Sequence, residues 1–262
     1  MSGLQIRLMQ VADAEAVAKL VRQSFDALLH PYLVYCQPGL DNYLRVVLVH
    51  PVLFPRHCLL VAEEQEAVLG FAEFRRLDDG RALLSYIAVD PDRRGRGIAS
   101  RMMSAYVTSL GRGQERLELD VFQDNVPALT LYERLGFEPV SESAWIVREL
   151  PATAGGGEPV ELADAHGSLA ALSTYGSCRL PVRRSGRVLD AGLVSREVLR
   201  VPDRPSFQDD DLLGEMARVM PEMRRALLIG PADPVPSTSG AGVLLRSSRL
   251  SADWRSLEGA LS

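Results

Sequence analysis

An almost wholly apolar run, ALLSYIAV at 82–89, gives way to Asp90-Pro91-Asp92 and then to Arg93-Arg94-Gly95-Arg96-Gly97-Ile98-Ala99-Ser100. Two glycines in this turn let the backbone double back and approach a ligand closely. A helix opening directly after them aims its unpaired N–H groups, and the positive end of its dipole, at one point. Arg93, Arg94 and Arg96 add positive charge beside it. The chemistry that suits such a turn is anion binding, with a pyrophosphate as the natural occupant. A Walker A loop requires GxxxxGK[ST], and no lysine stands here. A Rossmann fingerprint requires a third glycine where Ser100 stands, although Asp120 lies at the distance its acidic residue needs. The plain alternative is a tight strand–helix turn with solvated arginines.

A second segment follows at 117–137, LELDVFQDNVPALTLYERLGF. Together the two closely resemble the GNAT superfamily of acyl-CoA-dependent N-acetyltransferases. Arg94-x-x-Gly97-x-Ala99 matches the family's R/Q-x-x-G-x-G/A loop. Asn125, Ala128, Leu131, Tyr132, Gly136 and Phe137 match its N-x-x-A-x-x-L-Y-x-x-x-G-F signature in full. The resemblance covers residues 4–150 and implies acetyl-CoA as cosubstrate, with no metal. It implies that the backbone of Ile87, Ala88 and Val89, at a splayed strand end, pairs with the pantetheine arm as an added strand. The N–H groups of Arg94, Gly95, Arg96, Gly97, Ile98, Ala99 and Ser100 would hold the pyrophosphate. Asn125 would cap a helix and contact the cofactor arm. Tyr132 would protonate the departing thiolate; its plain reading is a core aromatic on an amphipathic helix.

The reaction so implied asks for little else. An amine attacks the thioester carbonyl and expels CoA thiolate, a backbone N–H stabilises the oxyanion, and a phenol of pKa ~10 gives its proton to sulfur. The attacking amine must also lose a proton, directly or through water. The run 82–89 carries no carboxylate, where some family members have one. Glu73 on the preceding strand and Glu118 or Asp120 on the following one are the candidate bases, each with a solvated strand residue as its plain reading. His30, His50, His57 and His166 show no metal-ligand spacing.

These residues need elements to position them. Residues 4–9 alternate as a half-buried strand, and a helical repeat runs through Val17, Leu20, Val21 and Phe25. Residues 29–57, with four prolines, read as an acceptor-binding loop around a short helix near 40–49. Strands at 58–63, 69–77, 82–89, 117–121 and 144–149, with helices at 97–110 and 126–135, predict one mixed α/β sheet flanked by helices over 1–150. PATAGGGE opens a linker at 151–159. Beyond it, 160–262 reads as a smaller, strand-rich α+β domain. Its strands fall over 169–201, a helix at 209–219, further strands at 225–229 and 243–248, and PADPVPSTSGAG is a loop. No sequence repeat links the halves. The C-terminal domain is expected to shape acceptor choice or to pair two copies into a homodimer.

Of 262 residues, 47% are hydrophobic and 24% charged, which excludes a disordered or fibrous chain. A net charge of −5 argues against nucleic acid or an anionic membrane surface as partner. The partner expected is an amine-bearing acceptor, a small molecule or a peptide N-terminus. All but one of the 29 basic residues are arginine, which points to a GC-rich, bacterial coding sequence. Three widely spaced cysteines indicate neither a disulfide framework nor a zinc site. No apolar signal core opens the chain, so a cytoplasmic enzyme is expected. The competing function is a catalytically degenerate module that senses CoA while its C-terminal domain engages a partner.

Overall fold

The computed structural model describes residues 3–111, 113–151, 158–231 and 240–261. Most of the expected linker, and the centre of the loop PADPVPSTSGAG, therefore lie outside the described residues. The chain forms two compact units, and they do not divide at the linker. The first comprises Met1–Asp26, Asp41–Ser141 and Ser248–Ser262; the second comprises Ala27–Leu40 and Glu142–Ser247.

In the first unit, β1 (Gln5–Leu8), β2 (His57–Glu64), β3 (Ala67–Arg76) and β4 (Arg81–Val89) are antiparallel neighbours. Next to β4 lies β5 (Arg116–Phe122), parallel to it, and the chain crosses between them through α3 (Ile98–Ala105) and a π-helical turn. The helices α1 (Ala14–Ser24), α2 (Leu40–Val49) and α4 (Val126–Arg134) complete the part that was expected. α1 buries Val17, Leu20 and Val21, the stripe visible in the sequence. At the end of α4, Gly136 has φ +83°, and the Phe137 N–H returns to the Tyr132 carbonyl at 3.0 Å. This is the left-handed termination that glycine allows.

The strand beyond β5 comes from the other end of the chain. The order is β1-β2-β3-β4-β5-β12, where β12 is Gly242–Asp253. Leu250 and Ala252, with Trp254 and Leu257 of the closing helix α8 (Trp254–Leu261), are buried in one core with Met102, Tyr106, Leu117 and Tyr132. The Trp254 N–H donates to the Glu115 carbonyl at 2.9 Å. Gly111 is required there, because a Cβ on it would come within 2.5 Å of the Trp254 ring. The linker expected at 151–159 is thus not where the two compact units divide: residues 248–261 pack with the first core, since strand pairing is long-range and linker composition is local.

In the second unit the order is β6-β11-β10-β9-β8-β7. These are β6 (Glu138–Glu149), β7 (Glu161–Leu162), β8 (Cys178–Arg184), β9 (Arg187–Leu193), β10 (Val198–Arg200) and β11 (Arg225–Pro231). β7 to β10 are antiparallel, whereas β11 is parallel to β10 after a crossover through α6 (Arg204–Gln208) and α7 (Asp210–Val219). The sequence shows no repeat, yet both units run four antiparallel strands, a helical crossover and a parallel fifth. Where strands were expected from 169, α5 (Ala165–Tyr175) is a helix, capped by Asp164 and closed by Gly176 at φ +75°. Part of the expected acceptor loop also belongs here. Tyr32 is buried with Val194, Val198 and Leu227, and its hydroxyl accepts from Arg225 at 3.2 Å.

Candidate active site

β4 carries a bulge at its centre. Glu73 pairs with Tyr86 and Phe74 with Leu84, so Ser85 is the extra residue, and its hydroxyl accepts from Arg75 Nε at 2.8 Å. An inserted residue reverses the strand's alternation beyond it. Before the bulge, Ala82 and Leu84 enter the core shared with α3 and α4; after it, Ile87 and Val89 do. Tyr86 instead meets Phe25, ring centroids 6.4 Å apart.

The same point marks the end of pairing between β4 and β5. Their register runs from Arg81–Arg116 to Leu84–Leu119 and stops there. Ile87, Ala88 and Val89 therefore keep β3 on one edge and have no β5 partner on the other. Such an edge presents backbone donors and acceptors to an extended ligand.

Past β4, Asp90 caps a short 3₁₀ turn and the chain reaches Gly95 and Gly97, each at φ +74°. Open space lies where a Cβ would stand on either one. Gly97 is the N-cap of α3 and no side chain satisfies that helix start. Arg94 anchors the turn, donating to the carbonyls of Val89 at 3.4 Å and Ser24 at 3.3 Å. The start of α4 is different, since Asn125 Oδ1 accepts the Ala128 N–H at 3.3 Å.

Tyr132 is 4% exposed and lies in one core with Leu119 and Val121, with Ile87 and Val89 packed against it. Its ring meets Phe137 edge-on at 5.5 Å. Burial pushes its phenol above the ordinary value, so it is held protonated. Phe25 spans the other side of the opening, 6.4 Å from both Tyr86 and Phe122.

The three candidate bases are differently placed. Asp120 is the first β5 residue beyond the paired register, with its side chain half exposed, and Arg249 of β12 holds it through Nε and Nη2, each at 2.7 Å. Glu118 is buried between Arg81 Nη1 at 2.8 Å and Arg249 Nη1 at 3.2 Å. Arg81 also donates to Asp79, so Asp79, Arg81, Glu118, Arg249 and Asp120 form a chain of alternating charge. Glu73 is 1% exposed on β3 and meets His57 Nδ1 at 2.7 Å.

Residues 20–137 match the profile of the acetyltransferase (GNAT) family. This stretch is a GNAT acetyltransferase domain. Curated relatives include a mycothiol acetyltransferase of Clavibacter michiganensis subsp. michiganensis, 36% identical over 52% of this chain and 43% of that protein. Another, from Clavibacter sepedonicus, is 38% identical over 30% of this chain and 26% of that protein. The chain thus spans less than half the length of the curated relatives it matches. Two solved structures share the fold along the chain. One is a tandem GNAT protein from the clavulanic acid biosynthesis pathway, with TM-score 0.66, 15% identity, and 96% of this chain and 99% of that one covered. The other is a GCN5-related N-acetyltransferase from Sphaerobacter thermophilus, with TM-score 0.62, 15% identity and 96% of each chain covered.

The second unit's crossover differs from that of the GNAT domain in its chemistry. Where the domain has Gly95 and Gly97, the second unit has Asp203 capping α6 and Asp209 capping α7, each accepting an N–H at 2.8 Å. Carboxylates at both helix starts occupy the donors an anion would need. Arg249 was missed in the sequence because the strand expected at 243–248 stops one residue before it. Alternation of Leu250 with Ala252 is the signal that extends that strand.

Proposed function

We propose that the GNAT domain moves an acetyl group from acetyl-CoA to a primary amine by direct attack. The observation that carries this reading is the opening between β4 and β5 beside an uncapped helix start whose glycines leave room for a ligand. When bound, acetyl-CoA supplies a thioester with an electrophilic acetyl carbon and a sulfur that leaves. In this reading the free edge of Ile87, Ala88 and Val89 binds the pantetheine arm, and the N–H groups from Arg94 through Gly95, Arg96, Gly97, Ile98 and Ala99 to Ser100 hold the pyrophosphate. Asn125 caps α4 and touches the arm.

Tyr132 gives its proton to the sulfur from the core side of the opening. Its burial supports this role, because a phenol held protonated keeps the proton available throughout the working pH range. On the strand, Asp120 accepts the ammonium proton through water. Its place just beyond the last β4–β5 pair favours it over Glu118, enclosed by two arginines, and over Glu73, engaged by His57 one strand further away.

We place CoA binding in the GNAT domain alone and give the second unit acceptor choice or the pairing of two copies. That segment 27–40 is built into the second unit supports the former. The test is CoA release from acetyl-CoA across a panel of small amines, amino acids and peptide N-termini. Mycothiol-related amines belong in that panel, given the relatives' name. Amine-dependent release supports transfer; CoA binding without release on any amine supports a CoA-sensing module instead.

A further inference from the structure

The first unit contains a cavity of about 280 Å³ that the acetyl-transfer reading does not use. It is lined at one end by Arg56, His57 and Arg76 and elsewhere by apolar groups such as Val47, Phe54 and Leu59. Strand register sets it apart from the β4–β5 opening. His57 pairs with Arg75, and Arg75 with Leu83, near the start of β4, whereas the glycine turn follows Val89. Six residues of strand separate the two levels, roughly 20 Å.

Three features mark this cavity as built for a ligand. Burying a carboxylate is costly unless it is paired, and Glu73, 1% exposed, is paired with an imidazole on the cavity wall. Engaging Nδ1 fixes the ring against the cavity wall. Phe54 meets the same ring edge-on at 5.6 Å, which holds it further. Second, the Tyr106 hydroxyl is buried beside the Arg76 guanidinium. It lies within electrostatic reach of Cys58 and Arg76, both on the cavity wall. Third, the lip is unusually apolar: Val52 is 87% and Leu53 73% exposed, between the lining residues Pro51 and Phe54, and Leu8 is 56% exposed.

We propose that this cavity binds a small organic carboxylate with a short apolar body. Arg76, whose Nη2 reaches the Leu110 carbonyl at 3.0 Å, is the charged group at the carboxylate end, and the His57 imidazolium, with Nδ1–H on Glu73, gives its Nε2–H as the second donor. The apolar wall and lip take the carbon chain. A volume near the bottom of the range for ligand pockets, which starts at ~300 Å³, selects a small metabolite over a nucleotide-sized one.

Calorimetric titration of the full chain with hexanoate tests this, with hexylamine and hexanol as controls of opposite and no charge. Hexanoate should bind saturably at one site, hexylamine should not, and saturating CoA should leave the affinity unchanged. Arg76→Gln, at an exposed position, and His57→Gln should each weaken hexanoate at least tenfold, with melting temperature confirming the fold. Absence of saturable hexanoate binding, equal binding of hexylamine, displacement by CoA, or full affinity in both variants would overturn the proposal.

Discussion

Arg249, near the end of the chain, grips Asp120 of β5 through two hydrogen bonds of 2.7 Å, and its Nη1 also reaches Glu118 at 3.2 Å. A planar guanidinium can hold a carboxylate in one orientation through two parallel bonds, which an ammonium cannot do. If Asp120 takes the amine's proton, Arg249 is the residue that aims it. Arg249→Gln should lower kcat/KM about tenfold or more, with Arg249→Lys restoring little of it. The rise in melting temperature produced by CoA should stay at the wild-type level. Steady-state kinetics beside thermal shift separates these effects; unchanged kcat/KM would leave the pair a purely structural tie between β5 and β12.

The same strand carries a stability prediction. A chain ending at Leu150 loses β12, Leu250, Ala252, Trp254 and Leu257 from the core of the first unit. Losing a buried Leu or Trp side chain costs ~2–5 kcal/mol, against a total stability of ~5–15 kcal/mol. That truncation should show no cooperative unfolding transition and no CoA binding. Trp254→Ala in the full chain should cost ~3–5 kcal/mol. A truncation that melts cooperatively and binds CoA would contradict the interleaved core.

What the sequence disclosed, and what it withheld, follow from the range of the interactions. The Arg94–Ser100 turn and the Asn125–Phe137 segment were legible because glycine conformation, helix capping and termination act within a few residues. The first half of β6, EPVSES, reads as loop because its side chains are exposed. α5 was misread as strand because Gly167, Ser168 and Thr174 dilute its helical periodicity, although Asp164 and Gly176 mark both of its ends. The pairing of His57 with Glu73 joins residues 16 apart on neighbouring strands, and that of Arg249 with Asp120 joins residues 129 apart. No local pattern encodes either.

Acid should weaken the domain through a different pair. Asp13 accepts from Arg7 at 2.7 and 2.9 Å and from the Gln10 N–H at 2.7 Å, and the guanidinium, first among these, holds its carboxyl below the ordinary value of 3.8. A depressed folded-state value means the contribution is complete above the unfolded value and is lost as pH falls through the folded one. Asp13→Asn should cost ~1–3 kcal/mol at pH 7 and flatten the loss of stability below pH 3.8. Melting curves from pH 7 to pH 2 should show the two proteins converging; parallel curves would contradict the assignment.

Gly97→Glu places a side chain at φ +74° and a negative charge where the pyrophosphate is proposed to sit. On the proposed reading CoA binds the folded state, so it should raise the wild-type melting temperature, while this variant should show no rise. Gly97→Ala, which adds strain without charge, should keep a reduced response. A full CoA response in Gly97→Glu would remove the turn from the cofactor site.

The most direct measurement pairs CoA release with CoA binding in wild type and Tyr132→Phe, using the amine on which wild type is most active. The ring stays in its core place, so the CoA-induced thermal shift should be preserved. Removing the proposed proton donor should lower kcat ~10²–10⁴-fold. Equal turnover in the two proteins, or wild type that binds CoA and releases none from acetyl-CoA with any amine, would contradict the account.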